Sequence, residues 1–97
     1  MLEVIQTDIF QAWLSKLRDA QARIRIEIRI DRLAMGNAGD VRPVGSGVSE
    51  LRIDYGPGYR VYFTRIDGAV VLLLCGGDKR TQSADIKRAI SIASNWK

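Results

Sequence analysis

The chain contains no histidine and one cysteine, Cys75. With one cysteine no internal disulfide can form, and without imidazole the usual nitrogen and sulfur ligands of zinc are missing. No cofactor and no metal are expected, although a magnesium site built from scattered carboxylates stays open. Long apolar runs are missing as well. The longest, Ala69 to Cys75, is far too short to span a bilayer, and Met1-Leu2-Glu3-Val4-Ile5-Gln6 lacks the basic region and long apolar core of a secretion signal. The expectation is a cytoplasmic protein with no membrane attachment, in which Cys75 is a buried thiol.

At 97 residues the chain has room for one modest core, so a single domain over residues 1–97 is expected and separate cofactor and substrate domains are excluded. Apolar residues at 46% and charged residues at 27% fit a globular protein and argue against disorder. The charge is unevenly spread. Residues 1–41 balance six basic against six acidic side chains, whereas residues 42–97 carry nine basic against five acidic and hold the whole net charge of +4. A basic surface attracts polyanions and lends salt-sensitive affinity for phosphate backbones; an ordinary solvated basic surface is the alternative.

Glu3-Val4-Ile5-Gln6 reads as a short strand, and Thr7 or Asp8 can cap a helix in which Phe10, Trp13, Leu14 and Leu17 recur at helical spacing. Between Asp19 and Met35 two periods compete. Ile24, Ile26, Ile28 and Ile30 alternate with charges as in a strand, but Ala20, Ala22 and Ala34, the shared face of Ile26, Ile30 and Leu33, and the Gly36-Asn37 stop favour a helix. Gly36 to Gly47 is dense in turn formers and reads as a loop.

Three strands follow, in an antiparallel meander: Val48–Tyr55, a Gly56-Pro57-Gly58 turn, Tyr59–Ile66, a two-residue Asp67-Gly68 hairpin, and the apolar run Ala69–Cys75. Ile86, Ala89, Ile90, Ala93 and Trp96 then mark a closing amphipathic helix. The fold class is α+β.

Strand parity sets Arg52 apart from Leu51 and Ile53, and Arg60, Tyr62 and Thr64 apart from Val61 and Phe63. Two guanidinium forks and a phenol would then share one open sheet face, suited to phosphates and a stacked base; a solvated polar face is the plainer reading. The turn Cys75-Gly76-Gly77-Asp78-Lys79-Arg80-Thr81-Gln82-Ser83 offers paired glycines for close backbone approach to a ligand and two cations at a helix start. The Gly-Lys-Ser/Thr of a nucleotide triphosphate loop is absent.

The segment Glu50-Leu51-Arg52-Ile53-Asp54-Tyr55-Gly56-Pro57-Gly58-Tyr59-Arg60-Val61-Tyr62-Phe63, followed by Leu74-Cys75-Gly76-Gly77-Asp78-Lys79 and by Gln82 with Asp85-Ile86-Lys87-Arg88-Ala89, resembles the RelE/ParE toxin superfamily, in its HigB-like "addiction module killer" branch. The resemblance implies a short N-terminal strand, two helices, a three-stranded antiparallel meander and a C-terminal helix. It resolves the Ile24–Ile30 conflict towards helix. It also implies the toxin of a type II toxin–antitoxin system that cuts translated mRNA on the ribosome without a metal, the substrate's 2′-hydroxyl being the nucleophile.

By position, the resemblance makes Arg60 the phosphate-contacting arginine and Lys79 or Arg80 the basic residue after the last strand. Arg60 and Lys79 would stabilise the phosphate, while Arg52, Arg80 and Lys87 would hold RNA. The departure lies in proton transfer: many relatives use a late Tyr or His, and this chain has no His and no Tyr after Tyr62. Either Tyr62 or Lys79 moves the proton, or Gln82 positions groups while the ribosome supplies the rest. The implied partners are a cognate antitoxin of helix-turn-helix type, mRNA on the ribosome, and operator DNA only through the antitoxin complex. ParE-like relatives share the fold and inhibit DNA gyrase without cutting RNA, so that alternative stands beside the first.

Overall fold

A strand, two helices, four further strands and a closing helix follow one another in a computed structural model that describes residues 1–96. They are β1 (Glu3–Gln6), α1 (Asp8–Lys16), α2 (Ala20–Ala34), β2 (Val41–Gly45), β3 (Val48–Ile53), β4 (Tyr59–Arg65), β5 (Val70–Asp78) and α3 (Gln82–Asn95), with one 3₁₀ turn at Lys79–Thr81. The sheet runs β1-β5-β4-β3-β2, with β1 parallel to β5 and all other neighbours antiparallel. Among the described residues no helix is long and apolar enough to cross a membrane.

Thr7 fixes the first crossover. Its hydroxyl oxygen accepts from the Phe10 amide at 3.0 Å, capping α1, and donates to the Leu74 carbonyl of β5 at 2.7 Å. Thr7→Val removes both bonds and leaves a buried acceptor on β5, so we expect a loss of about 1–2 kcal/mol. A lower urea midpoint with unchanged slope would register it. Asp19 caps α2 in the same manner, accepting from Gln21 and Ala22.

The contested isoleucines of α2 divide as a helix requires. Ile26 and Ile30 are buried with Ala22 and Leu33, while Ile24 and Ile28 are exposed. Three arginines of this helix have internal contacts. Arg23 donates to the Leu17 carbonyl, Arg25 lies over the Tyr55 ring, and Arg29 donates to the carbonyls of Arg52 and Ala38.

Two expectations need correction. The segment read as a loop from Gly36 to Gly47 contains β2, which pairs with β3 through a two-residue turn at Ser46-Gly47, both with positive φ (54° and 77°). Pro43 is tolerated because β2 is an edge strand and a register shift follows it. The meander is therefore the centre of a five-stranded mixed sheet. The Asp67-Gly68 turn is also longer than two residues. Ile66 donates to the Val70 carbonyl, Asp67 Oδ1 accepts from the Ala69 amide at 2.8 Å, and Gly68 does not use positive φ.

The sheet is covered on both faces. Phe10, Ile26, Ile30, Leu33, Leu51, Ile53, Val61, Phe63, Val71 and Leu73 form the core on the α2 face. Val48, Tyr62, Leu72, Leu74, Cys75 and Ala89 form a second core under α3. A register shift after Tyr62, where Tyr62 pairs with Cys75 and Phe63 with Leu73, leaves Leu74 as an extra residue in β5 and lets Leu74 and Cys75 both join the α3 side.

Burial pushes the Cys75 thiol from its ordinary value of 9.0 up to about 11. The folded state thus keeps its proton where the unfolded chain has lost it, so stability is expected to fall as pH climbs from about 9 to about 11, and native Cys75 to resist alkylation at pH 8. Thiol labelling with and without denaturant checks both.

Candidate functional site

Strand parity places Arg52, Arg60 and Tyr62 on one sheet face, as their alternation requires, but that face is not open. α3 packs over its middle, burying Tyr62, Glu50 and Arg60. What remains accessible is the end of the face beyond the start of α3. There Arg52, Arg60, Lys79, Asp40, Ile53, Asp54 and the Gly56-Pro57-Gly58 turn line a cleft of about 400 Å³.

The cations reach this cleft from three segments. Arg52 on β3 sits directly across from Arg60 on β4, which sits across from Gly77 on β5, and Lys79 follows β5 by one residue. Gly56 and Gly58 both take positive φ (57° and 81°), which curls the turn back so that the Gly58 carbonyl accepts from Arg60 Nη1 at 2.8 Å. The Arg60 guanidinium is thereby held at the cleft wall. Lys79 is exposed and has no ion-pair partner among the described residues.

Behind the arginines lies Glu50, fully buried although strand parity puts it on the same face as Arg52. Its Oε1 is 3.4 Å from Arg60 Nε and 3.8 Å from Arg52 Nε, and its Oε2 accepts from Gln82 Nε2 at 2.8 Å. Asp40 approaches Arg52 from the other side at 3.8 Å. The signal for Glu50 was present: it shares the parity of Val48, and the apolar stripe of the closing helix had to cover one face of this sheet. How far α3 reaches along that face is a tertiary fact.

The other expected residues are dispersed. Tyr62 is absent from the cleft lining, and its buried hydroxyl has no hydrogen-bond partner among the described residues. Burial, then the Glu50 charge, hold that phenol well above its ordinary value of 10.0, so it is not a ready proton carrier. Gln82 contacts Glu50 rather than the cleft lining. Arg80 is tied to Asp78, Nη2 to Oδ2 at 3.2 Å, and its guanidinium holds that carboxyl below the usual range. Lys87 is exposed on α3, away from the cleft lining.

The paired glycines also have a different purpose from the ligand approach read in the sequence. A Cβ on Gly76 would run into the Trp13 ring, and one on Gly77 into the Asp85 carboxylate and, at 3.0 Å, the Thr81 hydroxyl. They let α1 and α3 press against β5 from opposite sides. Among the described residues no three His, Cys, Asp or Glu side chains gather closely enough to hold a metal ion.

The comparisons with known proteins cover nearly the whole chain. Residues 12–97 match the family described as phage-derived protein Gp49-like (DUF891). An uncharacterized protein of Haemophilus influenzae is 50% identical over 92 residues, which span 95% of this chain and 93% of that protein.

Proposed function

We propose that this chain, which belongs to the phage-derived Gp49-like family, a family associated with toxin–antitoxin addiction modules, is the toxin of a type II pair and acts as a ribosome-dependent mRNA endonuclease. The observation that carries this reading is the convergence of Arg52, Arg60 and Lys79 from three segments on one cleft. Cations so arranged can grip a phosphate from several sides and compensate the charge that builds on it during attack. The 2′-hydroxyl of the RNA supplies the nucleophile, as the RelE-like resemblance implies, and the chain's task is to orient the phosphate and move protons. Lys79 and Asp54 are the groups on the cleft lining suited to that transfer, with Tyr62 enclosed in the core.

The partners in this reading are a cognate antitoxin of helix-turn-helix type and mRNA on the ribosome, with operator DNA engaged through the antitoxin complex, in the cytoplasm. The test is a reconstituted translation reaction. Cleavage of the reporter mRNA should require both the protein and the ribosome, and transcripts left intact while protein synthesis proceeds would remove the reading.

One observation favours a ParE-like alternative: the cleft lining holds neither imidazole nor phenol, groups that an inhibitory binding protein does not need. That reading expects purified DNA gyrase to lose supercoiling activity in the presence of the protein. Gyrase working normally beside it would eliminate the alternative.

A further inference from the structure

The contacts of Glu50 combine three facts. Its carboxylate is fully buried; it faces two guanidinium groups and one amide; and its Oε1, like Arg60 Nε 3.4 Å away, has no hydrogen-bond partner among the described residues. The pair is therefore electrostatic rather than a formed hydrogen bond. A carboxylate in this position offers the two arginines what a phosphate would offer them. It cannot itself reach the cleft, because α3 and the strands enclose it, whereas Arg60 sits at the cleft wall.

We propose that Glu50 is a positioning residue, an internal counter-ion that holds Arg60 against the Gly58 carbonyl and restrains Arg52, giving up anion affinity in exchange for a fixed guanidinium orientation. This rests on the RNA reading of the cleft. One full negative charge behind the cationic wall opposes any polyanion that approaches its front. Gln82, at the first turn of α3, holds the other carboxylate oxygen, so the start of that helix is part of the same support.

The sign of the effect separates this role from a merely structural one. In Glu50→Gln the neutral amide keeps the shape and can still accept from Gln82, but the opposing charge is gone. Binding of a short single-stranded RNA by the full-length protein, measured by fluorescence anisotropy, should tighten by about threefold or more at low salt. The slope of log affinity against log salt should steepen by about 0.7, the increment for one additional effective cation on a single strand. The Arg60 Nε–H resonance should at the same time shift and broaden as the guanidinium loses its fixed orientation. Glu50→Asp, which keeps the charge, should leave RNA affinity near the wild-type value.

Weaker or unchanged RNA binding in Glu50→Gln, together with an undisturbed Arg60 resonance, would overturn the proposal. Should that variant fail to fold, the wild type still decides, since an Arg60 Nε–H exchanging as fast as that of exposed Arg18 would overturn it equally. Loss of Arg60 order in Glu50→Gln when no form of the protein binds RNA would support the positioning role and reject the RNA reading.

Discussion

Gly76→Ala is expected to lower the stability of the fold markedly. The added methyl group would occupy the space of the Trp13 ring. That ring is half-buried and flanked by Phe10, at 5.8 Å between centroids, and Tyr59, at 6.2 Å, so yielding to the methyl group would disturb both aromatic contacts. Overpacking of this kind costs about 1–3 kcal/mol or more when the neighbour is fixed, a large share of the roughly 5–15 kcal/mol that holds a small domain together. Gly77→Ala should cost less, because its obstacle is the end of an Asp85 side chain that can rotate away at the loss of its 2.5 Å bond from the Thr81 hydroxyl. Thermal unfolding of the two variants side by side checks the order; equal stability in both would contradict the close packing of α1 on β5.

Arg60→Ala carries the second large effect, and it acts on stability and function together. Removing the guanidinium leaves the Glu50 carboxylate buried with only Gln82 and a 3.8 Å approach from Arg52. Breaking a buried pair from one side costs about 3–5 kcal/mol. Arg60→Met combined with Glu50→Gln should recover most of that stability, since both charges leave together, yet RNA cleavage should stay down by about 100-fold or more because the phosphate has lost its central cation. Activity returning with stability in the double variant would show that Arg60 serves only the fold.

Much of this arrangement was legible from local pattern. The period-two alternation of β3 and β4 set Arg52, Arg60 and Tyr62 on one face, and the alanines and the Gly36-Asn37 stop of α2 favoured a helix against the strand-like isoleucines, a conflict that the family resemblance resolved. What local pattern missed depends on contacts distant in the chain. β2 was hidden because Pro43 and the surrounding glycines are turn signals everywhere except at a sheet edge. Glu50 reads as exposed unless one knows that α3 comes back over β3. Gly76 and Gly77 look like a ligand loop until Trp13, more than sixty residues earlier, is found against Gly76 and Asp85 of α3 against Gly77. The site residues divide along the same line: Arg52, Arg60 and Lys79 meet at the cleft, while Tyr62 lies beneath α3 and Arg80 is engaged by Asp78.

The most direct measurement of the central claim is a map of mRNA 5′ ends in cells after brief induction of the wild-type protein and of Lys79→Ala. Lys79 is exposed and without an ion-pair partner among the described residues, so its loss should leave the fold intact. The expected result is new ends clustered within translated frames in the wild type and their disappearance in Lys79→Ala. Growth arrest by the wild type with unchanged 5′ ends would contradict it.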